Sequence, residues 1–176
     1  MQMNQHGFNE NYQFENFTEK NGNEWAKVGA LAVVQNLGTL YNPFYLYGQP
    51  GAGKTHLIQS VGNQVLKENP NTQVKYISAK DFADECLEAS KIGDLEQFRK
   101  CYSNLDLLIL DDIQALSEMA ISVQDELITI FDLLRRQQKQ IILSSSCEVD
   151  ELENFNPKLT LRFKLGLIVS LSLIEK

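Results

Sequence analysis

Residues 41–57, YNPFYLYGQPGAGKTHL, determine how this chain folds. An apolar, aromatic run ends abruptly at Gly48, and the pattern G-x-x-x-x-G-K-[ST] follows, closed by Lys54 and Thr55. Glycines in such a loop let successive backbone N–H groups turn towards a phosphate, because a side chain would obstruct that approach. A helix beginning at Lys54 would direct its positive end at the same anion. The stretch therefore predicts a phosphate-binding loop between a strand and a helix.

The ligand that this loop pattern predicts is ATP or ADP with Mg²⁺. Lys54 would reach the β- and γ-phosphates as a compact cation, and the Thr55 hydroxyl would ligate the metal. The alternative is a glycine-rich turn that binds nothing, but four constrained positions match by chance in only about one sequence in a hundred. We expect the nucleotide to be bound by Gly48, Gln49, Pro50, Gly51, Ala52, Gly53, Lys54, Thr55 and His56.

A pair of acids, Asp111 and Asp112, follows a second apolar run, LLIL at 107–110. This run is typical of a strand that is covered on both faces, and it would bring Asp111 to the sheet edge where the phosphate loop lies. Asp111 would hold Mg²⁺ through water, and Asp112 would orient and deprotonate the attacking water. The alternative is that the two acids only cap the next turn. Paired acids favour hydrolysis over phosphoryl transfer to a small acceptor.

Strand-like and helical segments alternate along the chain, which predicts an α/β fold on a parallel sheet. In the first helix, Trp25, Val28 and Ala32 share one face, and Asn23 is its expected cap. The predicted strands are 44–47, 74–78, 107–110, 140–144 and 167–171. The predicted helices lie near 23–37, 54–68, 81–90, 94–102 and 122–137, with a further helix capped by Asn156 and begun by Pro157.

Composition indicates one soluble, globular domain without a membrane span. The chain has 176 residues, of which 43% are hydrophobic and 22% charged, and no apolar run approaches the roughly 20 residues of a bilayer span. The polar, acidic N-terminus is unlike a secretory signal. Three cysteines without C-x-x-C spacing favour a reduced, cytoplasmic chain. The net charge of −7 argues against binding duplex DNA through a broad basic surface.

Several motifs together resemble the ATPase domain of the bacterial replication initiator DnaA, an AAA+ family. They occur in family order from about 14 to 171, and GKTHL with DDIQ is the most specific combination. The resemblance implies a five-stranded parallel sheet with helices on both faces, here a nucleotide-binding base over 14–176 after a polar leader at 1–13. The matching stretches are FENF, YNPFYLYG, GKTHL followed by VGN, LDLLILDDIQ, QDELITIFDLL, QIILSSS and LRFKLGL.

The resemblance also implies roles for particular residues. Phe17 and the turn at 41–43 would approach the adenine, and the helical pair at about 81–102 would line a channel for single-stranded DNA. Ser146 stands where the family places a sensor of the γ-phosphate. Arg162 stands where the family has an arginine finger, which stabilises phosphoryl charge across a subunit interface. The alternatives are a turn residue at Ser146 and an exposed cation at Arg162.

The chain departs from the family pattern at several positions. Ser146-Cys147 replaces the usual aspartate and arginine, and Lys158 replaces a second arginine. The loop at 115–122 lacks the basic residues that the family brings towards single-stranded DNA. The family continues into a helical lid and a helix-turn-helix domain, which we expect to be absent from a chain ending at Lys176. The cations that could compensate near the inserted helices are Lys80, Lys91, Arg99 and Lys100.

Three functions remain open from the sequence. The first is a DnaA-like ATPase core that acts in initiation of chromosomal replication, self-associates when ATP is bound and contacts single-stranded DNA. The second is a related helicase loader that engages the replicative helicase. The third is a weakly hydrolysing or non-hydrolysing regulator that docks on an initiator, which the altered sensor and the basic-poor loop favour. We expect no membrane contact and negligible duplex binding by this chain alone.

Overall fold

The chain forms a five-stranded, wholly parallel sheet with helices on both faces, as the sequence predicted. The computed structural model describes residues 7–18 and 23–172. In sheet order the strands run β2-β3-β4-β1-β5. The strands are β1 (Phe44–Tyr47), β2 (Val74–Ser78), β3 (Leu107–Asp111), β4 (Gln140–Ser145) and β5 (Leu167–Ser170).

Six α-helices connect and cover these strands within the described residues, and their bounds lie within two residues of the predicted ones for most elements. Three short 3-10 helices, which the sequence did not predict, occupy Phe14–Asn16, Ile113–Glu118 and Val149–Glu151. No helix in the described part of the chain has the length and apolar character needed to cross a bilayer. The helices are α1 (Glu24–Gln35), α2 (Lys54–Glu68), α3 (Ala79–Lys91), α4 (Leu95–Ser103), α5 (Ile121–Arg136) and α6 (Pro157–Phe163).

The sheet separates two hydrophobic cores. Along β3, Leu108 and Leu110 face a core made with α3, α4, α5 and α6, whereas Leu107 and Ile109 face a core made with α1 and α2. Every residue of β3 is therefore buried, because a parallel strand in the middle of such a sheet is covered on both faces. This explains the continuous apolar run that leads to the acidic pair.

Helix α1 packs with the opposite face from the one that its large apolar residues suggested. Trp25 is 76% exposed and Val28 is 54% exposed, while the buried residues of the helix are Ala26, Gly29, Ala30, Val33 and Val34. A Cβ atom placed on Gly29 would lie 3.1 Å from the ring of Phe44 in β1. The helix thus approaches the sheet closely at Gly29, and Trp25 and Val28 are left outside.

The two predicted helix caps behave differently. The side chain of Asn156 accepts a hydrogen bond from the N–H of Lys158 at 3.0 Å, and Pro157 begins α6 as expected. Asn23 precedes α1 but does not cap it with its side chain. Its oxygen instead accepts from the N–H of Ser172 at 3.0 Å, which joins the start of α1 to the chain after β5.

Residues 7–18 pack against α2 and form a strap, whereas residues 1–6 of the polar leader expected over 1–13 lie outside the described residues. Phe8 is fully buried, and a Cβ atom on Gly62 would come within 2.3 Å of its ring. The side chain of Gln59 accepts from the N–H of Asn9 at 2.8 Å, and the amide of Asn63 donates to the Asn9 carbonyl at 2.9 Å. The folded domain therefore begins before residue 14.

We expect Phe8→Ala to lower the free energy of unfolding by about 3 kcal/mol, the low end for deleting a buried aromatic ring. Trp25→Ala is the matched control, because removal of an exposed ring should change stability by no more than about 0.5 kcal/mol. Urea unfolding followed by circular dichroism measures both. Equal losses in the two variants would contradict the burial of the strap and the exposure of the outer face of α1.

Candidate nucleotide-binding site

The phosphate loop leaves the carboxyl end of β1 and enters α2 as the sequence predicted. A Cβ atom on Gly48 would lie 2.1 Å from the carbonyl oxygen of Leu171, so only glycine fits at the start of the loop. Gly51 and Gly53 both have positive φ, at 85° and 99°, a conformation that glycine adopts without strain. The loop is therefore shaped by backbone requirements at three of its glycines.

Lys54 is folded into the loop. Its side chain is only 7% exposed, and its ammonium donates to the carbonyl oxygens of Gly48 at 2.7 Å and Gln49 at 3.2 Å. A buried cation held only by carbonyl oxygens is a ready partner for a phosphate, because an anion stabilises it far better than two neutral acceptors do. The loop thus presents one positive charge and the start of a helix to the same place.

Asp111 is 3% exposed and accepts hydrogen bonds from three neighbouring elements. The Thr55 hydroxyl donates to its Oδ2 at 2.8 Å and the Tyr76 phenol donates to the same oxygen at 2.7 Å. The Ser144 hydroxyl and the N–H of Asp112 donate to Oδ1. A buried carboxylate is tolerated only when its lone pairs are satisfied in this way.

Tyr76 and Ser144 are site residues that sequence reasoning missed. Tyr76 lies in the middle of β2 and Ser144 near the carboxyl end of β4, the two strands that flank β3. Burial, followed by the Asp111 carboxylate, raises the pKa of Tyr76, so its phenol keeps the proton that it donates. The sequence offered only a weak signal for these two residues, because polar residues in apolar strands are common and the order of the strands in the sheet cannot be read from the sequence.

Asp112 is exposed beside the loop and has a left-handed backbone, with φ 56° and ψ 50°. Such a conformation in a residue other than glycine costs energy and is concentrated at functional sites. The Gln114 amide donates to Asp112 at 3.2 Å, and the Gln114 oxygen accepts from the N–H of Ser146 at 3.1 Å. Gln114 therefore brings together two residues that the sequence singled out separately.

A cavity of about 660 Å³ opens beside the phosphate loop. Ser146 and Cys147 line it from the end of β4, and Gly48 and Gln49 line it from the loop. The backbone carbonyl of Cys147 accepts from the buried Tyr45 phenol at 3.0 Å, which fixes the turn after β4. The predicted sensor position is thus held in the wall of the cavity next to the loop.

Two residues expected near the nucleotide also anchor the strap. His56 lies with its Nε2 at 3.1 Å from the Gln13 carbonyl oxygen, and its ring stacks on Tyr12 with 4.7 Å between centroids. Phe17 approaches the His56 ring edge-on at 5.4 Å and lies beside Gly53. The structure therefore engages the His56 side chain with the strap, while it places Phe17 next to the loop.

The turn at 41–43 lies at the other edge of the sheet, which corrects the expectation that it approaches the adenine. Its Asn42 amide donates to the Lys139 carbonyl at 2.7 Å and the Pro43 carbonyl accepts from the N–H of Leu167 at 3.0 Å, both at the amino ends of neighbouring strands. The four residues of β1 separate this turn from the loop by about 13 Å. A turn before a strand and a loop after it cannot meet.

Arg162 also lies away from its own phosphate loop. Helices α5 and α6 run back towards the amino ends of β4 and β5, and Arg162 stands one residue before the end of α6. Its guanidinium donates from Nε and Nη2 to the two oxygens of Asp132, at 2.8 and 2.7 Å. A third hydrogen bond runs from Nη1 to the Lys158 carbonyl at 2.7 Å.

This sheet order, with a phosphate loop after β1 and an acidic pair after β3, which β4 separates from β1, defines an AAA+ type P-loop nucleotide-binding domain. The family model described as the bacterial DnaA ATPase domain matches residues 8–170. The chain therefore belongs to the bacterial DnaA ATPase domain family. The match begins at Phe8, in agreement with the burial of the strap.

Similar proteins and solved structures agree with this assignment. The chromosomal replication initiator protein DnaA of Streptococcus pyogenes is 41% identical over 165 residues, which is 93% of this chain and 37% of that protein. A replication initiator DnaA bound to AMPPCP and single-stranded DNA matches with a TM-score of 0.89 and 40% identity, covering 95% of this chain and 51% of that one. Domain III of Thermotoga maritima DnaA matches with a TM-score of 0.90 and 39% identity, covering 93% and 68%. The chain thus spans about a third of the length of the replication initiator from S. pyogenes.

We expect Tyr76→Phe to lower the free energy of unfolding of the nucleotide-free protein by about 2 kcal/mol, because it removes a donor from a buried carboxylate. Tyr47→Phe is the control, since the Tyr47 hydroxyl has no hydrogen bond to the described residues, and it should change stability by less than about 0.5 kcal/mol. Denaturant titration at neutral pH compares them. A Tyr76→Phe variant as stable as its control would show that the phenol does not support Asp111.

Proposed function

We propose that this chain is the ATP-binding and ATP-hydrolysing core of an initiator of chromosomal DNA replication. The observation that carries the proposal is the placement of the Lys54 ammonium inside the phosphate loop, beside the hydrogen bond between Thr55 and Asp111. These three side chains come from the loop, α2 and β3, and they are the parts that nucleoside triphosphate chemistry requires. The 41% identity to a replication initiator supports the biological role.

Nucleotide binding follows from the loop. The ammonium of Lys54 would exchange its two carbonyl contacts for oxygens of the β- and γ-phosphates, with a gain because those oxygens are charged. The backbone N–H groups at the start of α2 would bind the same phosphates. The structure of a relative with the ATP analogue AMPPCP supports ATP as the ligand.

The residues around Asp111 fit a magnesium ion. Magnesium prefers oxygen ligands and is held by one or two protein groups together with phosphate oxygens and water. The Thr55 hydroxyl and Asp111 Oδ2 lie 2.8 Å apart and face the loop from α2 and β3, so either can supply an oxygen. When bound, the ion neutralises charge on the phosphates. Thr55 would give up its hydrogen bond to Asp111, while Tyr76 and Ser144 keep that carboxylate in place.

Hydrolysis is assigned to Asp112. Its carboxylate is exposed at the edge of the loop, and its left-handed backbone turns it away from the buried position of Asp111. Asp112 would orient the attacking water and accept its proton, and Gln114 would hold Asp112 and the Ser146 backbone in register. Ser146 offers a hydroxyl near the γ-phosphate in place of a charged sensor. We therefore expect slow turnover.

Self-association is the proposed consequence of the position of Arg162. The phosphate loop lies at the carboxyl edge of the sheet, and Arg162 lies towards the amino edge. Its guanidinium therefore acts on the nucleotide of a second copy rather than on its own. A heterologous contact of this kind joins subunits head to tail and builds rings or filaments.

Single-stranded DNA is the proposed nucleic-acid partner, on the strength of the DNA-bound relative. On the inserted helices Arg99 is paired with Glu126, and Lys75 of β2 is paired with Glu85. Lys91 lies 3.5 Å from Glu88, and the exposed cations left for phosphate contacts are Lys80 and Lys100, so we expect weak, salt-sensitive binding. The three free cysteines are consistent with a cytoplasmic protein.

The chemistry can be separated from binding by single substitutions. Lys54→Ala should abolish ATP and ADP binding, because the loop loses its cation. Asp112→Asn should keep the affinity for Mg²⁺-ATP within a few-fold and lower hydrolysis by about 10² or more. Asp111→Asn should weaken the dependence of binding on Mg²⁺.

Titration with a fluorescent nucleotide and steady-state phosphate release measure these effects. Unchanged affinity in Lys54→Ala would rule out the loop as the site, and equal effects of both aspartate substitutions on affinity would contradict their separate roles. Binding without hydrolysis in the unmodified chain mixed with a full-length initiator would favour the nucleotide-dependent regulator.

The trans role of Arg162 can be tested by mixing two inactive variants. Arg162→Ala should leave the nucleotide affinity of the monomer unchanged and abolish ATP-dependent self-association and the ATPase activity that rises with protein concentration. Lys54→Ala lacks a nucleotide site but keeps its finger. A mixture pairs one intact site with one intact finger, so activity should return, given that fingers contribute about 10³–10⁵ in rate.

Light scattering measures self-association in the mixture, and ATPase assays at several protein concentrations measure its activity. A loss of nucleotide affinity in Arg162→Ala alone would show that the residue acts within its own subunit. Arg162→Lys should not rescue, because an ammonium cannot reproduce the planar fork of donors.

A further inference from the structure

The guanidinium of Arg162 is held on one side only. Asp132 of α5 takes Nε and one N–H of Nη2, and the Lys158 carbonyl takes one N–H of Nη1. An arginine has five N–H donors in a fixed plane. Of the two that remain, one belongs to Nη1 and one to Nη2. Neither has a hydrogen-bond partner among the described residues, so both can bind another group.

The edge of the guanidinium between Nη1 and Nη2 is one that can bind two oxygens of a phosphate in parallel. Asp132 occupies the other edge, between Nε and Nη2. The carboxylate therefore fixes the direction of the side chain without blocking its binding edge. The Lys158 carbonyl, one turn earlier in α6, fixes the plane of the group at a third point.

The ion pair is not required to attach α6 to α5. Phe163 packs against Phe131 with 6.3 Å between ring centroids, and both rings are buried. The Gln124 side chain accepts from the N–H of Asn156 at 2.7 Å, which anchors the start of α6 on α5. A partly exposed ion pair adds little to stability beside such contacts. The bidentate geometry of the Asp132–Arg162 ion pair is better explained by its effect on the orientation of the guanidinium.

We propose that Asp132 is a positioning residue that aims the Arg162 finger at the nucleotide of the neighbouring subunit. The inference rests on the proposed function, in which Arg162 acts in trans. A long arginine side chain on a surface helix samples many rotamers, and a finger that must be ordered at each encounter loses part of its effect. Asp132 orders it before the encounter.

The charges around Asp132 keep it in the form that this role needs. Its hydrogen bonds with Arg162 hold the pKa of the Asp132 carboxyl below its ordinary value, and the Arg135 and Arg136 guanidiniums on the same helix act in the same direction. The carboxylate is therefore ionised throughout the physiological range of pH. Both members of the pair carry full charge when a phosphate arrives.

The test places Asp132→Ala in each partner of the two-variant mixture in turn. In the Lys54→Ala partner, which donates the finger, the substitution should lower the recovered ATPase rate by about ten-fold or more, because a misaimed group loses this much in rate. In the Arg162→Ala partner, which donates the nucleotide site, the same substitution should leave the rate unchanged. The KM for ATP should be the same in both mixtures. A merely structural role would not distinguish the two placements.

Glu126→Ala supplies the matched control, because it removes the other bidentate ion pair of α5, the one with Arg99, away from the finger. Placed in the finger donor, it should leave the recovered rate within about two-fold. Asp132→Asn is the second variant, to be used if Asp132→Ala does not fold. It keeps the shape of the side chain but presents an amide to Nη2, so it should also lower the recovered ATPase rate.

Two outcomes would overturn the proposal, and they are distinguishable. If the mixture of Lys54→Ala and Arg162→Ala has no activity, the trans finger fails and the role of Asp132 fails with it. If that mixture is active, and its ATPase rate is unchanged by Asp132→Ala or Asp132→Asn in the finger donor, only the positioning role of Asp132 is overturned. A loss that is equal in both placements would show a structural effect.

Discussion

The buried carboxylate of Asp111 is the constraint on which the rest of the site depends. It lies at the end of the interior strand β3 and accepts hydrogen bonds from Thr55 on α2, Tyr76 on β2 and Ser144 on β4. A charge placed so deep must be satisfied by donors from every side. Each of these donors therefore fixes the position of its own element against β3. The end of the phosphate loop is fixed as well, since Thr55 directly follows Lys54.

The residues with predicted roles lie at the two opposite ends of the parallel strands, called here the carboxyl edge and the amino edge of the sheet. The phosphate loop, the acidic pair and the Ser146 turn all lie at the carboxyl edge, because each follows the end of a strand. Arg162 and the turn at 41–43 lie towards the amino edge, because each precedes a strand. A single subunit cannot bring these two ends of the strands together, and this separation is the reason for proposing that Arg162 acts on the nucleotide of another molecule. The ion pair between Asp132 and Arg162 is already formed within the single subunit.

The strap formed by residues 7–18 connects the edge of the domain to the nucleotide loop. Phe8 lies on Gly62 in the middle of α2, and Phe17 lies on Gly53 at its start. His56, two residues after Lys54, contacts the strap through Tyr12 and the Gln13 carbonyl. Helix α2 is thus held between the sheet and the strap, and its N-terminal turn is fixed on both sides.

The sequence by itself determined the features that are local in the chain. The loop at 48–55, the strand ending in Asp111 and the start of α6 at Pro157 were each predicted from neighbouring residues, because turn chemistry and apolar runs act over a few positions. The tertiary structure decided which distant groups meet. Tyr76 and Ser144 reach Asp111 only through the strand order, and Asp132 reaches Arg162 only through the packing of α5 on α6. The buried face of α1 was also decided in this way, since the apolar pattern favoured Trp25 and Val28 whereas close packing on Phe44 selected Gly29. Hydrophobic periodicity shows which residues of a helix are apolar, but the fit between the helix and the sheet decides which of them can pack against the sheet.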